Sequence, residues 1–301
     1  MVAIVTGSSS GIGFEVCKQL CERGYTVYGI SRRGLAPEGV TAMSADVSNS
    51  DALRAVIDEI ARREGRIDLL VANAGMGISG PVELSGNRDM QQIMNVNFFG
   101  QVYAAQAVLP YMRAQKGGSI VFVSSVAAPI AIPYQAFYSA SKSAINSVAL
   151  ALRNEVRGYN IRISVVMPGD ASTGFTDARV KNHPDRGAVS TAQSAETQAP
   201  SGFAAQGIET QAPSGIAAQS IDSSSAPAEP LYPRCDAAVA SMERDERTGM
   251  PASKVAGVIV RAGTKKNPAP LYVAGFKYRL LLALYNILPA RAAVWLVGKF
   301  Y

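Results

Sequence analysis

The chain has 301 residues, 48% of them apolar and 17% charged, with 27 glycines. This composition excludes fibrous and wholly disordered classes and leaves room for one large core or two modest ones. Twenty-nine Lys and Arg against 23 acidic residues give a net charge of +6, which cofactor phosphates or an acidic surface explain as readily as nucleic acid. The excess is uneven, because residues 247–301 hold nine basic side chains and no acidic one. Cys17, Cys21 and Cys235 show no metal-ligand spacing, and their odd number points to free thiols in a reducing cytoplasm. The single His183, in an Asn-His-Pro-Asp loop, removes His-dependent triads and multi-His metal sites, so no metal is expected and His183 reads as a solvated residue.

Residues 1–6 run straight into a glycine cluster, so no export signal is expected ahead of the fold. Apolar run 2–5 reads as a strand buried on both faces, followed by an amphipathic helix over 14–23 that Gly24 closes. The alternation continues with strands 26–30 and 41–45, helix 51–63, strand 68–72 and a long helix ending before Lys116-Gly-Gly118. Strand 119–123, helix 134–157, strand 161–167, helix 252–262 and strand 271–274 complete the series. Strands that alternate with helices predict a parallel sheet covered on both faces. Residues 191–203 (TAQSAETQAPSGF) and 204–216 (AAQGIETQAPSGI) form a 13-residue repeat, with a decaying third copy from Ala217. The repeat is too short for a solenoid unit and too poor in apolar area to offset backbone ordering, so it reads as a mobile insertion. The expected organisation is a catalytic part over 1–180, a lid or repeat insertion over 181–235, and a last part over 236–301 that completes the sheet and adds a basic apolar tail.

Thr6-Gly-Ser-Ser-Ser-Gly-Ile-Gly13 puts Gly7, Gly11 and Gly13 between the first strand and the first helix. Such glycines serve a tight turn, close approach of the backbone to a pyrophosphate and close helix-to-strand packing, and the helix N-terminus offers N–H donors to the anion. A dinucleotide is therefore expected there. After the second strand, Ile30-Ser-Arg-Arg33 has no carboxylate for a ribose 2′-hydroxyl but has guanidinium groups for a 2′-phosphate, with Arg32 the better placed, which favours NADP(H).

Tyr138-Ser-Ala-Ser-Lys142 places two functional side chains four residues apart, on one helix face, and Ser125 lies 13 residues upstream at a strand end. With these residues the sequence resembles the short-chain dehydrogenase/reductase family. Thr6 to Gly13 matches its T-G-x-x-x-G-x-G, Asn73-Ala-Gly75 most of its N-N-A-G, and Asn97 its helix asparagine. Ser125, Tyr138 and Lys142 match its serine and Y-x-x-x-K, and Pro168-Gly169 with Thr173 matches its P-G-x-x-x-T. The resemblance implies a single Rossmann-type α/β domain, a doubly wound parallel sheet of about seven strands flanked by helices. It implies that Asn97, Ser125, Tyr138 and Lys142 are catalytic. Tyr138 would be the proton donor and acceptor, its phenol drawn below the usual ~10 by Lys142 and the oxidised nicotinamide. Ser125 would bind the substrate oxygen, and Asn97 would maintain a water-linked relay to Lys142. It also implies a cofactor site made of Gly7, Ser9, Ser10, Gly11, Ile12, Gly13, Ser31, Arg32, Asp46, Val47, Asn73, Ala74, Gly75, Tyr138, Lys142, Pro168, Gly169 and Thr173. Asp46 reads equally well as the cap of the helix that follows it. Two positions depart from the family pattern: Ala72 stands for the first asparagine of N-N-A-G, and Ala171 for the valine after Pro-Gly. Tyr134 reads as core or pocket packing one turn before Tyr138, and Cys17 and Cys21 as buried.

The tail holds a largely apolar run over 280–288, about 14 Å as a helix, which is half a bilayer's hydrocarbon thickness. It reads as packing over the protein, the substrate mouth or a subunit neighbour, or as a basic helix lying on an anionic membrane. The expected partner is a hydrophobic carbonyl or alcohol substrate, steroid-like, retinoid-like or long-chain, with peripheral membrane contact through the tail, a homo-oligomer by family likeness, and no nucleic acid. Acyl-thioester or small polar carbonyl substrates form one rival reading, and a non-catalytic nucleotide sensor another.

Overall fold

The computed structural model describes residues 1–182 and 231–300. His183, both repeats and most of the expected insertion over 181–235 lie outside the described residues. The elements in chain order are β1 (Val2–Thr6), α1 (Gly11–Cys21), β2 (Thr26–Ser31), β3 (Thr41–Ser44), α2 (Ser50–Glu64), β4 (Leu69–Ala72), β5 (Ile78–Ser79), α3 (Asn87–Met94), a π-helical turn (Asn95–Phe99) and α4 (Gly100–Ala114). Then come β6 (Gly118–Val123), α5 (Ala136–Glu155), β7 (Ile161–Pro168), β8 (Ala171–Ser172), β9 (Val180–Lys181), α6 (Cys235–Arg247), β10 (Met250–Pro251), α7 (Ala252–Thr264), β11 (Leu271–Ala274), α8 (Phe276–Ile287) and α9 (Ala290–Phe300).

Seven strands form one sheet in the order β3-β2-β1-β4-β6-β7-β11, every neighbouring pair parallel. The inner strands are buried along their whole length, because helices cover both faces and no strand edge of the centre meets water. On one face α1 contributes Val16, Cys17 and Leu20 and α7 contributes Val255, Ile259 and Val260. On the other, Leu53, Ile57 and Ile60 of α2, Val108 and Met112 of α4 and Ile145 of α5 form the larger core. The chain moves outward from β1 to β3 and then returns across β1 to build the sheet in the opposite direction from β4. The strand order therefore reverses between β1 and β4, and a crevice opens at their carboxyl ends, where doubly wound sheets bind ligands.

Four two-residue strands, which carry no periodicity to read, pair as β5 with β9 and β8 with β10. They tie the segment after β7 across the carboxyl ends of the sheet. The expected helix over 134–157 begins at Ala136, since Tyr134 has a φ of 60° and its carbonyl accepts from Gly80 N at 2.8 Å. Tyr134 packs instead in a small cluster with α6, built on Cys235, Ala238, Val239 and Met242. The sequence reading missed α6, although these four residues have helical spacing; two are small, and the stretch just before them is polar and repetitive. Cys17 is buried as expected, while Cys21 is half-exposed and donates to Gly39 O at 3.6 Å.

The cap of α2 is Asn49, not Asp46. Its side chain accepts from Asp51 N at 3.1 Å and Ala52 N at 3.0 Å, whereas Asp46 accepts from the backbone and hydroxyl of Ser48. Asn49→Ala is expected to destabilise the protein by about 1 kcal/mol, read as a lower urea midpoint with an unchanged slope, while Asp46→Ala leaves the start of α2 intact.

Candidate active site

The glycine-rich turn leaves β1 and starts α1 inside the crevice. Gly7 and Gly11 have φ values of 73° and 56°, a left-handed region costly for any residue with a Cβ. A Cβ on Gly13 would overlap the carbonyl oxygen of Gly7, so the helix can approach the turn this closely only at a glycine. Ser10 is the N-cap of α1 but its side chain makes no capping bond. Ser10 is exposed, with Ser9 and Ile12 half-buried on either side of Gly11. The first N–H groups of α1 therefore face the crevice as donors, with the positive end of the helix dipole behind them. This cradle fits a pyrophosphate.

Thr6 fastens the two diverging strands. Its buried hydroxyl accepts from Asn73 N at 3.0 Å and Ala74 N at 3.1 Å, and Asn73 Nδ2 donates to Thr6 O at 3.0 Å. Gly75 follows, and a Cβ there would stand 3.3 Å from Asn97 Oδ1 and 3.5 Å from Lys142 Nζ. Asn97 is fully buried in the π-helical turn. Its Oδ1 accepts from Met76 N at 2.8 Å, and its Nδ2 donates to Met76 O at 2.9 Å and to Ser141 Oγ at 3.2 Å. One side chain thus clamps the loop after β4 to α5.

Ser125, just past β6, is buried, and its Oγ accepts from Ala127 N at 3.1 Å. Tyr138 and Lys142 lie one turn apart on α5, with Lys142 Nζ 5.8 Å from the centre of the Tyr138 ring. The ammonium donates to Val123 O at 3.0 Å, and Ser124 Oγ donates to the carbonyl of Lys142. Burial pushes the Tyr138 phenol up to about 12; a hydrogen bond with Ser125 pulls the other way, while the Glu246 carboxylate adds to the rise. Burial likewise brings the Lys142 amine down to about 8. The expected depression of the phenol by Lys142 is therefore not produced by the chain's own groups. Desolvation outweighs them at the phenol, and at the amine it favours the uncharged form.

At the end of β2, Ser31 is buried and its hydroxyl is spent on closing the local loop, accepting from Leu35 N at 2.9 Å and donating to Leu35 O at 3.0 Å. Arg32 and Arg33 are exposed and form no ion pair among the described residues. Asp46 lies past β3, and Val47 is buried where it would meet any Cβ added to Gly100 of α4. On the other side of the crevice, Pro168 ends β7 and its carbonyl accepts from Val126 N at 2.9 Å. The methyl side of Thr173 rests over Gly11, 3.3 Å from the place of a Cβ, so the loop after β7 closes onto the glycine turn.

Several residues that the sequence reading missed complete this wall. Phe175 packs against Tyr138, ring centres 5.8 Å apart. Arg179 lies with its guanidinium 5.9 Å from the Phe175 ring, is buried, and pairs with Glu246 of α6, which also accepts from Thr176 Oγ1 at 2.7 Å. Tyr278 of α8 fills the space beside Gly169 and donates to Asp170. No short motif carries these positions, and what joins them is tertiary: α6 and α8 come from beyond residue 230.

The family model described as short chain dehydrogenase matches residues 1–184. A 3-ketodihydrosphingosine reductase of Bacteroides thetaiotaomicron is 44% identical over 179 residues, which are 59% of this chain and 66%, just under two thirds, of that protein. The probable short-chain type dehydrogenase/reductase VdlC of Helicobacter pylori is 28% identical over 294 residues, 96% of this chain and 93% of that one. Among solved structures, a short-chain dehydrogenase from Streptomyces avermitilis has the same fold, with a TM-score of 0.73 at 23% identity over 95% of this chain and 92% of that chain. The matched residues hold six of the seven strands of the sheet and the glycine turn, and the chain belongs to the short-chain dehydrogenase/reductase family of nicotinamide-dependent oxidoreductases.

Proposed function

We propose that the protein interconverts a carbonyl compound and an alcohol with NADP(H), on a hydrophobic substrate of the long-chain or steroid-like kind. The observation that carries this reading is the gathering of Ser125, Tyr138 and Lys142 on one wall of the crevice whose opposite lip is the glycine turn. The 44% identity to a 3-ketodihydrosphingosine reductase supports the hydrophobic substrate. The same proposal places the protein in a reducing cytoplasm, where Cys17, Cys21 and Cys235 stay free, and as a homo-oligomer.

When bound, the nicotinamide supplies or accepts the hydride. Gly7, Ser9, Ser10, Gly11, Ile12 and Gly13 would hold its pyrophosphate, with Asn73, Ala74, Gly75, Pro168, Gly169 and Thr173 along the crevice toward the ring. Arg32, with Arg33 beside it, would clamp a 2′-phosphate, while Ser31 and Asp46 with Val47 would border the adenosine. Ser125 Oγ donates to the substrate oxygen as negative charge develops on it. Tyr138 hands its proton to that oxygen, or takes it in the reverse direction. Lys142 provides a charge behind the phenol, with an amine burial has already brought close to neutral pH. Asn97 is a positioning residue: by clamping Met76 and Ser141 it keeps open the side-chain-free position at Gly75 between itself and Lys142.

Tyr138→Phe is expected to lower turnover of a ketone panel by about 10²- to 10⁴-fold while NADPH titration by fluorescence is unchanged; a fully active variant would sink the proposal. Replacing Arg32 and Arg33 together by Ala should weaken NADPH binding by roughly tenfold or more and leave NADH nearly untouched, as direct titration of both cofactors would reveal. The folded-state value of Lys142, about 8, lies below its ordinary 10.5, so between these limits the unfolded chain binds more protons and stability rises with pH. The full rise is about 3 kcal/mol. Urea titrations between pH 7 and 10 should show this slope in the wild type and a flatter one in Lys142→Met.

A further inference from the structure

We infer that α8 and α9 form a docking surface for an anionic lipid bilayer, on which the protein lies without crossing it. The inner sides of the two helices rest on the large core that underlies α2, α4 and α5 through Tyr278 and Leu282 of α8 and Val297 of α9, and Ala293 of α9 is buried too. Their outer sides are apolar too. Phe276 is 77% exposed, Ile287 80% and Trp295 63%, and Leu280, Val294 and Phe300 are exposed beside them. Phe276, Leu280 and Ile287 recur at intervals of four and seven along α8 and so share one stripe. A helix apolar on both sides is ordinarily covered on both, and soluble surfaces rarely leave so many large apolar groups together without a partner.

Charge selects the partner. Lys277, Arg279, Arg291 and Lys299 are exposed among these side chains and make no ion pair with any described residue, and residues 247–301 contain no acidic side chain. A second copy docking by the same face would press cations against cations. An anionic bilayer complements both features, with headgroups for the basic residues and the acyl boundary for the apolar ones. The aromatic ring of Trp295, with Lys299 Nζ 5.3 Å from its centre, suits that boundary. Geometry excludes a span: α8 and α9 have 12 and 11 residues, about 18 and 17 Å, and Pro289 separates them. Among the described residues no helix is long and apolar enough to cross a membrane.

The surface is joined to the crevice. Tyr278, on the inner side of α8, fills the space beside Gly169 and holds Asp170, in the loop that also carries Thr173 and Phe175. Seating α8 on a bilayer brings the crevice mouth near the lipid phase, where a long-chain carbonyl compound is already dissolved. This last consequence rests on the proposed reaction; the docking does not.

The test is flotation of the full-length protein with vesicles of phosphatidylcholine, with and without phosphatidylglycerol, at low and high salt. The protein should float with the anionic vesicles and be released by salt. A triple variant, Phe276→Ser, Ile287→Ser and Trp295→Ser, should bind roughly tenfold or more weakly while keeping its circular dichroism and its activity on a water-soluble carbonyl compound. Lys277→Glu with Arg279→Glu, both exposed, should abolish the preference for anionic vesicles, and this variant decides the matter if the triple variant misfolds. The inference is overturned if the wild type ignores both vesicle types, or if the triple variant floats as well as the wild type. It is equally overturned if the wild type binds no vesicle and self-associates through a face that the triple variant dissolves. Activity on the soluble compound is measured separately, so an inactive protein that floats counts against the reaction alone.

Discussion

The hydroxyl of Thr6 sets the geometry on which the rest of the crevice depends. At the ends of β1 and β4 the sheet must both stay paired and send its connections in opposite directions. Two backbone N–H groups of the Asn73-Ala74 peptide would be left without ladder partners there. Thr6 Oγ1 takes both, and Asn73 Nδ2 returns a bond to the Thr6 carbonyl. Leaving such groups unsatisfied in a buried site costs about 1–3 kcal/mol each, so this small clasp is strongly favoured. It holds the glycine turn on one lip and Gly75 on the other at a fixed separation.

Across the crevice, desolvation governs the Tyr138 phenol and the Lys142 amine. A phenol and an amine placed side by side in water would both titrate near 10 and do little for each other. Burial moves them apart in opposite directions: the phenol resists ionising, while the amine gives up its proton more easily. At neutral pH the phenol therefore stays protonated while the amine, at about 8, keeps most of its charge, and further positive charge entering the crevice acts on a phenol already partly removed from water. Phe175 packs on that phenol and the charges of the Arg179–Glu246 pair act on it, so its environment is set by the segment after β7 and by α6 as well as by α5.

Much of this was legible in the sequence because the carriers are local. Short strand-like runs alternating with helical stretches betrayed the seven strands of the sheet, even where one, β3, is barely apolar, and Gly7, Gly11 and Gly13 announced a turn that only glycine allows. The four-residue spacing of Tyr138 and Lys142 put them on one face of α5. What escaped has no local signature. The two-residue strands exist only through their partners, and Tyr134 leaves the helix because Gly80 claims its carbonyl. Helix α6 carries a weak stripe of small residues, whose meaning appears only when Ile132 and Tyr232 close over it. Arg179, Glu246 and Tyr278 reach the crevice from elements far apart in the chain, and pairwise chemistry across such distances cannot be read from spacing. The sign of the Tyr138 shift escaped for a related reason, since it depends on how much protein surrounds the ring.

The π-helical turn at Asn95–Phe99 places one surplus residue inside an otherwise regular coil running from Asn87 to Ala114. Within this turn both ends of the Asn97 amide reach Met76. Loss of a single residue there would let the coil relax to ordinary winding and rotate whatever lies on one side of it by about 100° relative to the other. The asparagine would then point away from the Met76 loop, with every neighbouring side chain unchanged in kind. Chain length at this point therefore shapes the crevice as much as the identity of the residue that uses it.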